Sequence, residues 1–275
     1  MKKTIIIAEA GVNHNGNINT ALKLIDKASL VGADYIKFQH TNPNLISPFA
    51  KKAKYQIDNT KNKNSQKKMI EKLHLNWSKY YEKIIKRCRQ KKIKFLTSAF
   101  SVQDYLEVKN LNMDYIKIPS GEIINEPLLR KVSFSKKKII LSTGMSTIEN
   151  IRDTLKIYKK NDNSNISLLH CVSNYPCSNS SLNLNNLETL KKFGYEIGFS
   201  DHSRDHLPSA IAISKGAQII EKHFTLDKNL PGPDHMASID GSELKNMIDT
   251  IREVEISLGS QNKVVEECEK NNRDL

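Results

Sequence analysis

Two polar triplets, Ser200-Asp201-His202 and Glu221-Lys222-His223, and two lysines flanked by apolar residues, Lys37 and Lys117, are the residues best suited to chemistry. Imidazole is the commonest protein metal ligand. His202 and His223, set side by side, would hold a divalent metal and leave positions open for water and substrate. Spacing offers no obvious third ligand; Glu221 shares a strand face with His223 and is either that ligand or an orienter of one. Consecutive strand residues cannot converge as a hydrolase triad does, so Ser200-Asp201-His202 is not one. Lys37 and Lys117, with the hydroxyls of Ser120, Ser142 and Ser200, suit an anion carrying both phosphate and carboxylate. A Schiff-base lysine is the competing use. Glu9 is either a general acid or base or the ion-pair partner of one of these lysines.

Short β-branched runs alternating with helical periodicity are the elements that position these groups. The strands are expected at Thr4–Ala8, Asp34–Phe38, Ile93–Thr97, Tyr115–Ile118, Lys138–Ser142, Ile166–His170, Glu196–Phe199 and Gln218–His223. Helical spacing falls between them and closes with Ser242–Leu258. Eight strands alternating with helices in 275 residues predict an α/β fold, a (β/α)8 TIM barrel, over residues 1–260. A doubly wound sheet would carry a Gly-x-Gly-x-x-Gly turn after its first strand, and Ala10-Gly11-Val12-Asn13-His14-Asn15-Gly16 does not fit. In a barrel the strand C-termini form the active face. Those ends supply Glu9, Lys37 and Gln39, Ser98 and Phe100, Lys117, Ser120 and Glu122, Ser142, His170, Ser200 with Asp201 and His202, and Glu221 with Lys222 and His223. Burying so many polar groups without a ligand to pair them would be costly, which points to a polar, anionic substrate. The long polar connection from Thr41 to Leu75 is expected to be an active-site lid or a disordered loop. The charged segment Gln261–Leu275 reads as a linker or frayed tail.

Bulk properties exclude several alternatives. The net charge is +13, but the lysines are spread along helix faces and the Thr41–Leu75 segment, and no nucleic-acid-binding signature accompanies them. No nucleic acid is therefore expected as a partner, while the positive field would attract an anionic substrate. No apolar run reaches the roughly 20 residues a membrane span needs, and Glu9 interrupts the N-terminal one. A cytoplasmic protein without membrane contact is the expectation. The four cysteines form no Cys-x-x-Cys pair, so neither a disulfide framework nor a zinc ribbon is expected.

Ordered motifs run from residue 5 to about 265. They are Ala8-Glu9-Ala10-Gly11-Val12-Asn13-His14-Asn15-Gly16, Lys37-Phe38-Gln39, Ile118-Pro119-Ser120-Gly121-Glu122, Leu141-Ser142-Thr143-Gly144, Tyr175-Pro176, Gly198-Phe199-Ser200-Asp201-His202-Ser203, Glu221-Lys222-His223-Phe224-Thr225 and Gly232-Pro233-Asp234-His235. Together they resemble the N-acetylneuraminate synthase family, which includes the legionaminic and pseudaminic acid synthases. The resemblance implies metal-dependent condensation of phosphoenolpyruvate with an N-acetylmannosamine-type sugar aldehyde, releasing phosphate and forming a sialic-acid-type nonulosonate. It implies that Lys37, Ser98, Lys117, Ser120, Ser142 and Ser200 hold phosphoenolpyruvate. Mn2+ or Mg2+ would bind His202 and His223, and Gln39, Phe100, Glu122, Tyr175 and Asp234 would contact the N-acetylated amino sugar. Glu9 would manage protons at the reacting centre, and the family's assembly is a homodimer. Ser98-Ala99-Phe100 stands where many relatives have Thr-Pro-Phe, and Cys177-Ser178 follows Tyr175-Pro176 in place of a small residue and Pro. Full-length relatives continue into an antifreeze-like domain that reaches across the dimer. The chain stops at Leu275, where that linker would begin, so the domain is expected to be absent, separately encoded, or lost from a fragment. The alternatives are a phosphoenolpyruvate-binding barrel with impaired turnover and a Lys Schiff-base aldolase or lyase.

Overall fold

The computed structural model describes residues 3–273. In chain order the elements are β1 (Ile5–Gly11), α1 (Ile18–Leu30), β2 (Tyr35–His40), a 3-10 turn (Pro43–Leu45), α2 (Lys54–Thr60), α3 (Gln66–Leu73), α4 (Trp77–Gln90), β3 (Lys94–Ala99), α5 (Val102–Val108) and β4 (Tyr115–Ile118). There follow α6 (Glu126–Ser133), β5 (Lys138–Ser142), α7 (Ile148–Lys160), β6 (Ile166–Cys171), α8 (Asn186–Lys191), β7 (Glu196–Asp201), α9 (Leu207–Ser214), β8 (Ile219–His223) and α10 (Gly241–Leu258). The eight strands pair in parallel, in sequence order, and close into a barrel through β1 and β8. The (β/α)8 expectation is met.

Local chemistry accounts for the elements. Residues of β1, β6 and β8 are buried almost throughout, because one strand face meets the barrel interior and the other meets the helices. On α4 the buried residues Trp77, Tyr81, Ile84 and Cys88 recur at helical spacing. Asn17 caps α1 by accepting from the amides of Asn19 and Thr20, and Asp240 and Glu243 form a capping box on α10. Each such cap stabilises its helix by about 1 kcal/mol. All four cysteines are free thiols.

The expected strands lie within two residues of those observed, apart from β1, whose C-terminal end runs three residues further, to Gly11. The 41–75 connection departs from the disordered alternative, because it carries a 3-10 turn, α2 and α3. Its order comes from a small apolar cluster in which Met69, Ile70 and Leu73 of α3 pack with Val12 after β1. Ser65 caps α3 by accepting from the Lys68 amide. Residues 259–273 are exposed throughout, with one 3-10 segment at Glu267–Asn272.

Candidate active site

Strand register gathers the candidate residues into one layer. Glu9 lies beside Lys37 on one side and His223 on the other. Gln39 lies beside Ser98, Ser98 beside Lys117, and Ser200 beside Glu221. These pairs sit at the strand C-termini, at the base of a cavity of about 730 Å³. That size suits a small-molecule substrate. β1 closes with Gly11 at φ +52, where an added Cβ would come within 3.3 Å of the Glu9 carboxylate and 3.4 Å of the Gln39 amide. A side chain there would be strained and would crowd the contact in which Gln39 Nε2 donates to Glu9 Oε1 at 3.1 Å.

The floor is a buried charge network. Lys37 Nζ lies 2.7 Å from Glu9 Oε2 and 3.7 Å from Glu221 Oε2. Lys117 Nζ donates to Glu221 Oε2 at 3.0 Å and to Ser142 Oγ at 2.6 Å, and Ser200 Oγ donates to Glu221 Oε1 at 3.1 Å. Burial alone would raise the Glu221 carboxyl, but the two ammonium groups overcome it and hold its pKa down to about 2. Glu9 goes the other way: burial and the neighbouring Glu221 charge, opposed by Lys37, lift it to about 7. Two carboxylates therefore share two lysines, and Glu9 is the member poised to exchange a proton near neutrality. Burial draws the Lys37 ammonium toward neutrality, yet Glu221 and Glu9 outweigh that and raise its pKa. Lys117 ends lowered, by burial first and by the Lys37 charge, against the pull of Glu221. Ser98 Oγ is buried in the same layer without a partner, and Ser120 Oγ accepts from the Gly144 amide at 3.1 Å.

Beside this floor stand the two imidazoles, ring centroids 5.7 Å apart, with Tyr175 4.1 Å from His202 and 5.2 Å from His223. His202 Nδ1 donates to the Val172 carbonyl at 2.7 Å, which leaves Nε2 as an acceptor, 3.3 Å from Ser200 Oγ. His223 Nδ1 is buried without a hydrogen-bond partner. Burial lowers His202 to about 4 and His223 well below its ordinary value, so both are neutral at physiological pH. Two neutral imidazoles lining the cavity, one with Nε2 held only by the Ser200 hydroxyl and the other with Nδ1 unpartnered, fit an ion whose remaining positions would be left to substrate and water. Among the described residues no group of three or more His, Cys, Asp or Glu side chains is arranged to hold a metal. Glu221, considered above as a third ligand, is occupied as the counter-ion of Lys117 and Lys37.

Of the residues singled out from sequence, Glu9, Lys37, Gln39, Ser98, Phe100, Lys117, Ser120, Glu122, Tyr175, Ser200, His202, His223 and Asp234 all line the cavity. Ser142 sits one step back and reaches it only through Lys117. Asp234 is buried with Oδ1 unpartnered, and burial lifts its carboxyl to about 6. Three strand-end residues counted toward the polar mouth do not belong to it. His170 donates to the Leu182 carbonyl and stacks on Phe199, and Asp201 and Lys222 pair with each other behind the strands. Strand alternation turns these side chains toward the helices. The 41–75 segment contributes Lys52, Tyr55, Gln56 and Met69 to the cavity wall, and Tyr55 packs on Tyr175 at 5.0 Å. Asp104, at the start of α5, also lines the wall and was not anticipated; its place in the first turn after Ser101 was the available signal.

A closed barrel with a buried lysine pair and paired imidazoles at its C-terminal mouth has the layout of a (β/α)8 enzyme. Residues 24–263 match the NeuB family, and the chain belongs to that family, as an enzyme of the synthase type. It is 44% identical over 281 residues to N,N'-diacetyllegionaminic acid synthase of Campylobacter jejuni, covering 100% of this chain and 83% of the relative. It is 41% identical to the Legionella pneumophila protein of the same name, over 94% of this chain and 74% of that one. The crystal structure of N-acetylneuraminic acid synthetase from Leptospira borgpetersenii superposes with a TM-score of 0.87 at 31% identity, covering 99% of this chain and 91% of that one.

Proposed function

We propose that the protein condenses phosphoenolpyruvate with an N-acetylated amino-sugar aldehyde to form a sialic-acid-type nonulosonate, with a diacetamido sugar of the legionaminic series as acceptor. The observation that carries this reading is the pairing, in one cavity, of a two-lysine floor with two neutral imidazoles. Lys37 and Lys117 place point charges where a phosphate and a carboxylate would lie, and Ser98, Ser120 and Ser200 add directed hydroxyls. Ser142 supports Lys117 from behind. When bound at His202 and His223, Mn2+ or Mg2+ supplies Lewis-acid polarisation of an aldehyde oxygen.

The chain's own residues order the remaining chemistry. The floor holds the enol so that its C3 carbon faces the aldehyde carbon bound under Tyr175. A C–C bond forms there while positive charge develops at C2. Water adds to C2, and the C–O bond to phosphate breaks, so phosphate leaves with the bridging oxygen. Glu9, beside Lys37 and raised to about 7, is placed to take and return the proton of that water. Gln39, Phe100, Glu122, Tyr175 and Asp234 line the outer cavity, where the sugar would lie. The size of the cavity and the charge on Lys37, held up by Glu221 and Glu9, support this over a Schiff base on Lys37, which would need a neutral amine. The proposal includes a homodimer working in the cytoplasm, on the strength of the family relationship. Among the described residues no helix is long and apolar enough to cross a membrane.

The test is to incubate the protein with phosphoenolpyruvate, a diacetamido-trideoxyhexose and Mn2+, then identify the product by mass spectrometry. A nine-carbon keto acid with equimolar phosphate is the expected outcome. A covalent adduct trapped by borohydride with pyruvate would replace this reading with the aldolase one.

A further inference from the structure

Behind the strands, outside the cavity, lies a charged pair the mechanism does not use. Lys222 is 1% exposed and Asp201 fully buried, and they are register partners on β8 and β7. Lys222 Nζ lies 3.0 Å from Asp201 Oδ2 and donates to Ser203 O at 2.6 Å, Ser203 Oγ at 3.1 Å and Asp205 O at 2.9 Å. Its three N–H donors are therefore saturated by acceptors from one stretch of chain. Asp201 completes the clasp by accepting from the Ser203 amide at 2.8 Å and from Ser209 Oγ of α9 at 2.7 Å.

What this stretch encloses is His202. Its two peptide neighbours, Asp201 and Ser203, are both held by one ammonium, and that ammonium belongs to the residue immediately before His223. Alternation turns Asp201 and Lys222 outward and His202 and His223 inward. A single buried lysine thus fixes the backbone on both sides of one imidazole and on the near side of the other. We infer that Lys222 is a positioning residue whose clasp on Asp201, Ser203 and Asp205 sets the mutual orientation of His202 and His223. Its consequence for metal affinity rests on the two-imidazole reading above; the orientation itself does not. The two floor lysines stand on β2 and β4, while Glu221 and Ser200 of the same floor are the chain neighbours of Lys222 and Asp201 on this seam.

Lys222→Met and Lys222→Met/Asp201→Asn are the informative variants, because the second leaves no buried charge unpaired. In metal-free protein the His202 Nδ1–H, bonded to Val172 O, should give a protected downfield proton signal by NMR. The inference expects that signal to be lost or shifted in both variants. It also expects Mn2+ affinity, read by electron paramagnetic resonance, to fall at least tenfold. The thermal midpoint should recover in the double variant, and the imidazole signal and Mn2+ affinity should not. Recovery of all three would overturn the inference and reduce the pair to charge balance. An unchanged imidazole signal in the double variant overturns it even if Lys222→Met fails to fold. If the native protein binds no Mn2+, the metal reading falls, and the proton signal still decides the positioning role.

Discussion

Removing the ammonium of Lys117 should separate what this residue does for stability from what it does for substrate. Lys117 is 1% exposed, and its Nζ lies 2.6 Å from Ser142 Oγ and 3.0 Å from Glu221 Oε2. At an effective dielectric near 20, a pair this close attracts by about 5 kcal/mol before desolvation is counted. Lys117→Met leaves Glu221 with only Lys37, at 3.7 Å, and the Ser200 hydroxyl. Breaking a buried pair on one side costs about 3–5 kcal/mol. For a chain of this size that corresponds to a thermal midpoint roughly 6–20 °C lower. Adding Glu221→Gln neutralises the stranded carboxylate, so the double variant should return to within about 1 kcal/mol of the native stability. Phosphoenolpyruvate affinity should not return with it. One lost charge-assisted bond is worth about 1.5–3 kcal/mol, a weakening of roughly 10- to 150-fold. Thermal melts and isothermal titration on the native, single and double proteins provide the measurements. Native affinity in the stable double variant would refute the placement of Lys117 in the anion site, and an unchanged midpoint in the single variant would refute the ion pair.

Two further outcomes follow from the imidazoles and the outer carboxylate. His223→Ala should abolish metal-dependent turnover, and treatment of the native enzyme with a chelator should do the same until Mn2+ or Mg2+ is restored; steady-state rates with and without metal check both. Asp234, ordinarily at 3.8, is lifted by burial to about 6, so between those values the folded state binds the extra proton and the stability this contributes is lost as pH rises. Asp234→Asn should therefore gain stability relative to native protein between pH 4 and pH 7, by about 2 kcal/mol, with a raised KM for the sugar; melts across pH and acceptor titrations test it.

Much of this site was legible because strand ends in a barrel converge, so residue type and position together carried information. Glu9, Lys37, Lys117, His202 and His223 were found that way. The same reasoning overcounted at His170, Asp201 and Lys222, because alternation identifies the cavity side only once each strand's phase is known. Glu221 was recognised as facing inward, but whether it met a metal or a lysine depended on register across the barrel from β8 to β4. The helices of the 41–75 connection were hidden by its Lys- and Asn-rich composition. Their order rests on Val12, a residue far away in sequence, meeting Met69, Ile70 and Leu73. Asp104 was missed for a related reason: it comes from the first turn of a helix rather than a strand end.

The most direct test of the account is phosphate release from phosphoenolpyruvate in the presence of Mn2+, compared with N-acetylmannosamine, a diacetamido-trideoxyhexose and no sugar. The account predicts release that requires sugar, is fastest with the diacetamido compound and stops when chelator is added. Absence of release with every sugar, despite measurable phosphoenolpyruvate binding, would contradict it and leave a barrel that binds the enol acid without turning it over.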